Sequence, residues 1–303
     1  MKNRTFIIFL ISLVLVISGC TSLPPQISNL NIPSLGQKEK TITESKGLEL
    51  RFKEGQPPLD EIYAGQNFKV SLEITNSALQ DISGLIELSD TPSDEFGSLK
   101  GKEQQSFSLL SAEQIENKII PAKETVTFGP YQYDTSKVFP GMSTSFITEI
   151  KTSHIDLVTA QICIKSDSSQ EIRCPNKETI TNFGKSSQLS PVKITKIEKT
   201  IIPEENSLNL NLKIYIKNTG KGKIDNDDQL LNSFNINLKT SSNLACSKTS
   251  KISLKEGERV IICTSELSIG DELFRQEILE ISFDYPYKII ETIGPIKVSK
   301  FEV

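Results

Sequence analysis

From Gly47 onward the chain is written in period two. In SLNLNLKIYIKN, Leu208, Leu210, Leu212, Ile214 and Ile216 alternate with polar or exposed-type residues without a break. FKVSLEIT likewise puts Phe68, Val70, Leu72 and Ile74 on one face and Lys69, Ser71, Glu73 and Thr75 on the other. Successive side chains of a strand point to opposite faces, so this pattern specifies half-buried antiparallel strands. The same signal recurs in LELRF (48–52), SGLIEL (83–88), ETVTFGPYQY (124–133), STSFITEI (143–150) and LVTAQICIK (157–165). It returns in VKITKIEKTII (192–202), FNINLKT (234–240), the SKISL region, RVIICTS (259–265), ILEISFDYPYKII (278–290) and IGPIKVSKF (293–301). Short strands with turn signals between them predict an all-β chain of the sandwich type. Three local expectations depart from plain strands. SAEQIEN, with Ser111 and Gln114 as a capping box, hints at a short helix. IKSDSSQEIRC reads as a hairpin whose arms carry Cys163 and Cys174, and Tyr285-Pro286-Tyr287 as a rigid aromatic turn near an edge.

The N-terminus obeys different rules. Lys2 and Arg4 precede a twelve-residue run, Phe6 to Ile17, that is apolar apart from Ser12. That length suits a signal h-region and falls short of the roughly 20 residues a bilayer-spanning helix needs. Ser18 and Gly19 are small and Cys20 follows at once, an order that resembles the lipobox of prokaryotic lipoproteins. The resemblance implies cleavage before Cys20, lipid on its thiol, and a chain held at the extracytoplasmic face of the cell membrane. Two or more acyl chains give stable anchoring where one gives marginal binding.

Removal of residues 1–19 from the 303 leaves 284, enough for two domains. The leader takes two of the 34 basic residues and none of the 38 acidic ones, so the mature chain carries 32 against 38, a net charge of −6. That balance argues against a nucleic-acid partner. Four cysteines remain beyond Cys20. Cys163 and Cys174 lie eleven apart, Cys246 and Cys263 seventeen apart, each pair in its own half of the chain. An even number outside the cytoplasm reads as disulfides, and proximity favours 163–174 with 246–263. Small buried free thiols are the alternative; a zinc site would want tighter spacings.

Organisation follows from composition shifts. Residues 1–19 are the signal peptide, and residues 20–46, with Pro24, Pro25 and Pro33, are the lipidated cysteine and a disordered tether. As a coil such a tether reaches roughly 30 Å. A first β-sandwich is expected over 47–185 and a second over 192–303. The linker between them is 186–191, within the Gly-, Ser- and Pro-containing stretch Phe183 to Pro191. The halves also resemble each other: FKVSLEITNSALQDISG (68–84) and LNLKIYIKNTGKGKID (210–225) each run a strand into an asparagine and a small-residue turn. Asn76 and Asn218 match and suit a left-handed turn position; Asn76-Ser77-Ala78 lacks the glycine found at Gly220. A strand ending in N-T-G-x-G resembles CARDB-like and related immunoglobulin-like modules of prokaryotic surface proteins. The whole layout is similar to uncharacterised envelope lipoproteins, archaeal ones included. The resemblance implies two immunoglobulin-like antiparallel sandwiches in tandem, and it brings no catalytic residues.

The residues that could carry chemistry are few. His154 is the only histidine, placed by the pattern in an exposed loop, KTSHID, between strands. Ser153 and Asp156 flank it, but a triad assembles from distant segments rather than from neighbours. DNDDQ offers Asp225, Asp227 and Asp228 as calcium ligands. It lacks the glycine at position six and the later glutamate of an EF-hand loop, so it reads first as a solvated acidic turn. Asp90, Asp94 and Glu95 make a weaker acidic group, and GKGK lacks phosphate-loop spacing. No cofactor is expected.

These features predict a non-enzymatic binding, adhesion or scaffold module of the cell envelope. Its partners would be the membrane, through Cys20, and another envelope protein engaged by loops or by an exposed strand edge. The competing readings are an exported hydrolase with a scattered site and a strand-donating subunit of a pilus or other fibre.

Overall fold

A computed structural model describes residues 47–300 except 93–95, 100, 117, 167–173, 184–188, 205–206, 225–232, 241, 255–256 and 269–273. The strands run, in chain order, β1 (Leu48–Phe52), β2 (Glu61–Tyr63), β3 (Phe68–Asn76), β4 (Ile82–Asp90), β5 (Glu103–Leu109), β6 (Glu113–Ile115), β7 (Lys118–Ile120), β8 (Ala122–Tyr131) and β9 (Ser143–Lys165). They continue with β10 (Lys177–Ile180), β11 (Val192–Pro203), β12 (Ser207–Asn218), β13 (Lys223–Ile224), β14 (Ser233–Lys239), β15 (Ala245–Cys246), β16 (Ile252–Ser253), β17 (Glu258–Ser268) and β18 (Phe274–Ser299). The described residues are all β, arranged as antiparallel sheets with β2 joining β18 in parallel.

One sheet has the order β1-β3-β8 and another β10-β11-β12-β17-β15. The largest runs β16-β14-β18-β9-β4-β5, with β13 and β2 also on β18. Its spine is the antiparallel pair β9–β18, in register from Ser143↔Lys297 to Lys165↔Phe274 with one irregularity between Ile293 and Ile296. The alternating apolar residues meet in one continuous core, in which Leu50, Leu72 and Phe128 of the first sheet join Phe146, Ile150 and Ile281 of the spine. Phe68 on β3 meets Phe146 on β9 with ring centroids 5.8 Å apart. The large sheet takes β4, β5 and β9 from before residue 186 and β14, β16 and β18 from after residue 191, and Ile42–Val303 form one compact unit.

The two halves repeat one corner bond for bond. Asn76 stands opposite Leu48 and Asn218 opposite Val192. Each asparagine accepts the N–H two residues on, from Ala78 at 2.9 Å and from Gly220 at 3.0 Å. Each donates Nδ2–H to the carbonyl four residues on, Gln80 at 2.9 Å and Gly222 at 2.8 Å. The next residue in each half closes the corner: Ser77 N–H donates to Gly47 O at 2.8 Å, and Thr219 N–H to Pro191 O at 2.7 Å. Neither asparagine is left-handed; among described non-glycine residues only Glu116 and Lys251 have positive φ. The side-chain amide, rather than a special backbone conformation, is what these positions require.

Several local expectations give way. Glu113–Ile115 pairs antiparallel with Lys118–Ile120, so SAEQIEN is a hairpin arm rather than a helix. Ser111 N–H donates to Asp81 Oδ1 instead of entering a capping box. The 143–150 and 157–165 segments are one strand, and so are 278–290 and 293–301 as far as Ser299. KTSHID is therefore strand interior and His154 is buried, not exposed in a loop. Tyr285-Pro286-Tyr287 is likewise mid-strand. Pro286 falls between Asp284, the last residue paired with β14, and Tyr287, the first paired with β13, where the missing N–H interrupts no outer ladder. The cis peptides lie elsewhere, at Gln56-Pro57, Gly129-Pro130 and Gly294-Pro295. Cys174 does not sit on a strand paired with β9: β10 follows it and pairs with β11, and residues 167–173 lie outside the described ones. Of the stretch Phe183 to Pro191, Phe183, Leu189, Ser190 and Pro191 are buried, and residues 184–188 lie outside the described ones.

Candidate functional site

A group of buried polar side chains lies where β9 pairs with β18 in the middle of the large sheet. Alternation along β9 aims His154 and Asp156 inward, and the register sets Tyr285 opposite His154 and Tyr287 opposite Thr152. Tyr285 stacks on the imidazole at 5.4 Å and 10°, while Tyr287 meets it edge-on at 5.6 Å. Tyr285 O–H donates to Asp156 Oδ2 at 2.7 Å and accepts from Val192 N–H at 3.4 Å. Ser190 Oγ–H donates to Asp156 Oδ1. The end of the 183–191 stretch is thereby tied to the spine.

Burial dominates the ionisation of this group. It lowers the His154 pKa to about 4, so the ring is neutral at pH 7. It raises the Asp156 carboxyl above the ordinary range, against the opposing hydrogen bonds from Ser190 and Tyr285. The Tyr285 hydroxyl is pushed well up by burial first and by the Asp156 charge second. Tyr287 is pushed up to about 12 by burial, opposed by Gly222 N–H and the Asn218 amide. Gln80 lies with Nε2 3.4 Å from His154 Nδ1, which leaves the ring proton on Nε2, a buried atom with no hydrogen-bond partner.

His154 and Tyr287 are counterparts. Each is one residue beyond the Ser153–Pro286 pair, and each faces the asparagine corner of one half. Tyr287 O–H donates to Asn218 Oδ1 at 3.2 Å and accepts from Gly222 N–H at 2.8 Å, as His154 meets Gln80. The second corner needs its glycines for this reason. A Cβ on Gly220 would come 2.2 Å from Tyr287 Oη and 2.7 Å from Pro191 Cβ. The first half, with the smaller ring, carries Ala78 there.

Chemically the cluster is a brace. Ser153 lies on the opposite, exposed face and donates to Asp284 at 3.1 Å, while Ser190 bonds Asp156 directly. No histidine stands between a hydroxyl and a carboxylate, so the order a triad needs is missing. The cysteines pair as 163–174 and 246–263, the second across the β15–β17 ladder. Cys20, the proposed lipid attachment, lies outside the described residues, as do Asp225, Asp227 and Asp228, and Asp94 and Glu95. Asp90 holds Ser98 and Tyr133 by hydrogen bonds. Among the described residues no three His, Cys, Asp or Glu side chains gather as metal ligands, and no helix is long and apolar enough to cross a bilayer.

Sequence reasoning missed Lys199, whose side chain is fully buried. The signal was there: in VKITKIEKTII the apolar positions Val192 and Ile194 break step and resume at Ile197 and Ile201. A β-bulge between Ile194 and Lys196 turns Lys199 inward. No family model matches the chain, and no curated protein matches it in sequence.

Proposed function

We propose that this chain is a lipid-anchored envelope module that binds a partner protein by accepting an extended segment along β9. The observation that carries the reading is the unpaired half of that strand. β4 pairs with β9 only from Phe146 to Thr152. From Ser153 to Ile162, β9 has β18 on one side and no described strand on the other, and at Cys163 the carbonyl accepts from Lys199 Nζ of β11. An unpaired row of strand N–H and C=O groups is a template for a further strand. Its outer-face residues, Ser153, Ile155, Leu157, Thr159 and Gln161, carry no charge to repel one, and Ile155 and Leu157 are 67% and 57% exposed. Placement at the membrane rests on the Lys2–Cys20 signal, and the two disulfides suit an oxidising compartment.

The test is affinity purification of the full chain from gently solubilised native membranes. The Cys20 peptide is expected to carry lipid, and a protein partner to co-elute and be lost with Ile155→Lys plus Leu157→Lys. A soluble chain with a free Cys20 thiol would overturn the anchor. A partnerless chain that hydrolyses an envelope polymer would overturn the binding module.

A further inference from the structure

A lysine ammonium is rarely taken fully out of water unless it is paired. Lys199 on β11 is fully buried, its Nζ 2.7 Å from Cys163 O and 2.9 Å from Glu178 Oε2. Glu178 stands directly opposite it on β10. Asn176 lies two residues before Glu178, and its carbonyl accepts from Ile201 N–H at 2.8 Å, which carries the β10–β11 ladder one step further. Alternation therefore puts Asn176, Glu178, Lys199 and Ile201 on one face, with Asn176 diagonal to Lys199. Diagonal strand neighbours are roughly 7–8 Å apart, within reach of a long side chain. Asn176 Oδ1 is buried and accepts no hydrogen bond. An orphaned buried amide oxygen on the strand position diagonal to a desolvated amine is a feature that calls for an explanation.

We infer that Lys199 and Asn176 form an intramolecular isopeptide bond, with Glu178 as the proton shuttle. Lys199 Nζ passes a proton to the Glu178 carboxylate and attacks Cγ of the Asn176 carboxamide. Nζ–Cγ forms, and the tetrahedral intermediate collapses as Glu178 returns the proton to the departing nitrogen. The Cγ–Nδ2 bond breaks, and the departing ammonia takes up the second proton of Nζ and leaves as ammonium. The products are one secondary amide, one ammonium ion and a regenerated carboxylate, so charge and protons balance with no oxidant or co-reactant consumed. The reaction replaces a buried ammonium with a neutral amide, removing the desolvation cost of the charge. A carboxylate within hydrogen-bond reach of the attacking nitrogen is the geometry such a step requires. The bond would lock β10 to β11 beside the Cys163–Cys174 disulfide, closing the chain between residues 176 and 199. This inference is independent of the lipid anchor and of any partner.

Intact mass spectrometry of the full chain decides it. The folded protein, with both disulfides counted, should be lighter than its sequence by one ammonia, and digestion should yield a branched peptide joining Asn176 to Lys199. Glu178→Gln keeps the size of the shuttle but not its basicity and should restore the full mass; Asn176→Ala and Lys199→Met should do so as well. A wild-type mass equal to the sequence value overturns the inference. So does an ammonia loss that survives Lys199→Met, since that marks a succinimide at Asn176 instead of a crosslink.

Discussion

Replacement of the only histidine by phenylalanine should make the fold less sensitive to acid, and the size of the effect follows from its burial. The His154 ring titrates near 6.5 in the unfolded chain and at about 4 in the fold. Between those values the unfolded chain binds the extra proton, so stability is full above pH 6.5 and falls as pH drops toward 4. The 2.5-unit gap corresponds to about 3 kcal/mol, of which about 2 kcal/mol is lost between pH 7 and pH 5. The groups facing the ring, from the spine and from the 77–81 connection, are Tyr285, Tyr287 and Gln80. The tyrosines stay protonated throughout this range. Asp156 works in the opposite direction, because its raised pKa lets the fold gain a proton first and so gain stability as pH falls. It is common to wild type and variant and cancels in their difference. His154→Phe keeps the stack on Tyr285 and removes the unpartnered Nε2–H, whose burial costs about 1–3 kcal/mol. The variant should be at least as stable as wild type at pH 7 and about 2 kcal/mol ahead of that margin at pH 5. Urea unfolding at both pH values measures it. If the two proteins lose stability in parallel between pH 7 and pH 5, the ring is solvated and the burial argument fails.

Two further predictions test the corners and the crosslinks. Gly220→Ala drives a methyl group into Tyr287 Oη and Pro191, and should cost about 1–3 kcal/mol by overpacking, whereas Ala78→Gly at the matching position should cost about 1 kcal/mol or less; thermal unfolding of the pair compares them. Replacing Cys246 and Cys263 together by alanine opens a 17-residue separation and should cost about 3 kcal/mol, with the 11-residue Cys163–Cys174 pair costing slightly less, read as denaturant midpoints under non-reducing conditions.

Period two made the strands legible because a one-residue slip would exchange core and solvent faces. Leu48, Leu50, Leu208, Leu210 and Ile214 are buried as their spacing requires. The cysteine pairs were legible for a different reason, since short separations leave little choice. What escaped were positions where a polar residue takes an inward place. KTSHID looks like a break between strands because Thr152, His154 and Asp156 occupy core positions with polar side chains. Their partners, Ser190 and Tyr285, are 34 and 129 residues from Asp156, and no local pattern announces a hydrogen bond over that distance. Lys199 was hidden by a bulge, which shifts the period without altering composition. The asparagine corner was seen as a repeat, but its chemistry was misassigned: the amide makes two bonds that a left-handed backbone does not need. SAEQIEN misled because a capping box is a local signal, and β6–β7 pairing overrides it.

The length of β9 and β18 is what binds these details to a function. Strands of 23 and 26 residues far exceed the usual length of roughly 3–10. Each serves both halves: β9 meets β4 through Phe146–Thr152 and runs on beside the part of β18 that carries β14. The sequence motif begins again at residue 191, where Pro191 stands to Asn218 as Gly47 stands to Asn76, while the hydrogen-bonded sheet is common to both repeats. Pairing the two long strands covers one edge of each, and exposed edges are where sheets recruit other chains. The opposite edges are treated unequally. On β18, Pro286 and Pro295 withhold donors, while β13 and β2 cover Tyr287–Lys288 and Lys297–Ser299. On β9 no proline occurs between Ser143 and Lys165, and no described strand lies beyond Thr152. A fold that blunts one of two related edges and leaves the other without proline, uncharged on its outer face and apolar at Ile155 and Leu157 favours a strand as the thing it meets. That asymmetry is the physical ground on which the proposed partner is assigned to β9 rather than to the loops.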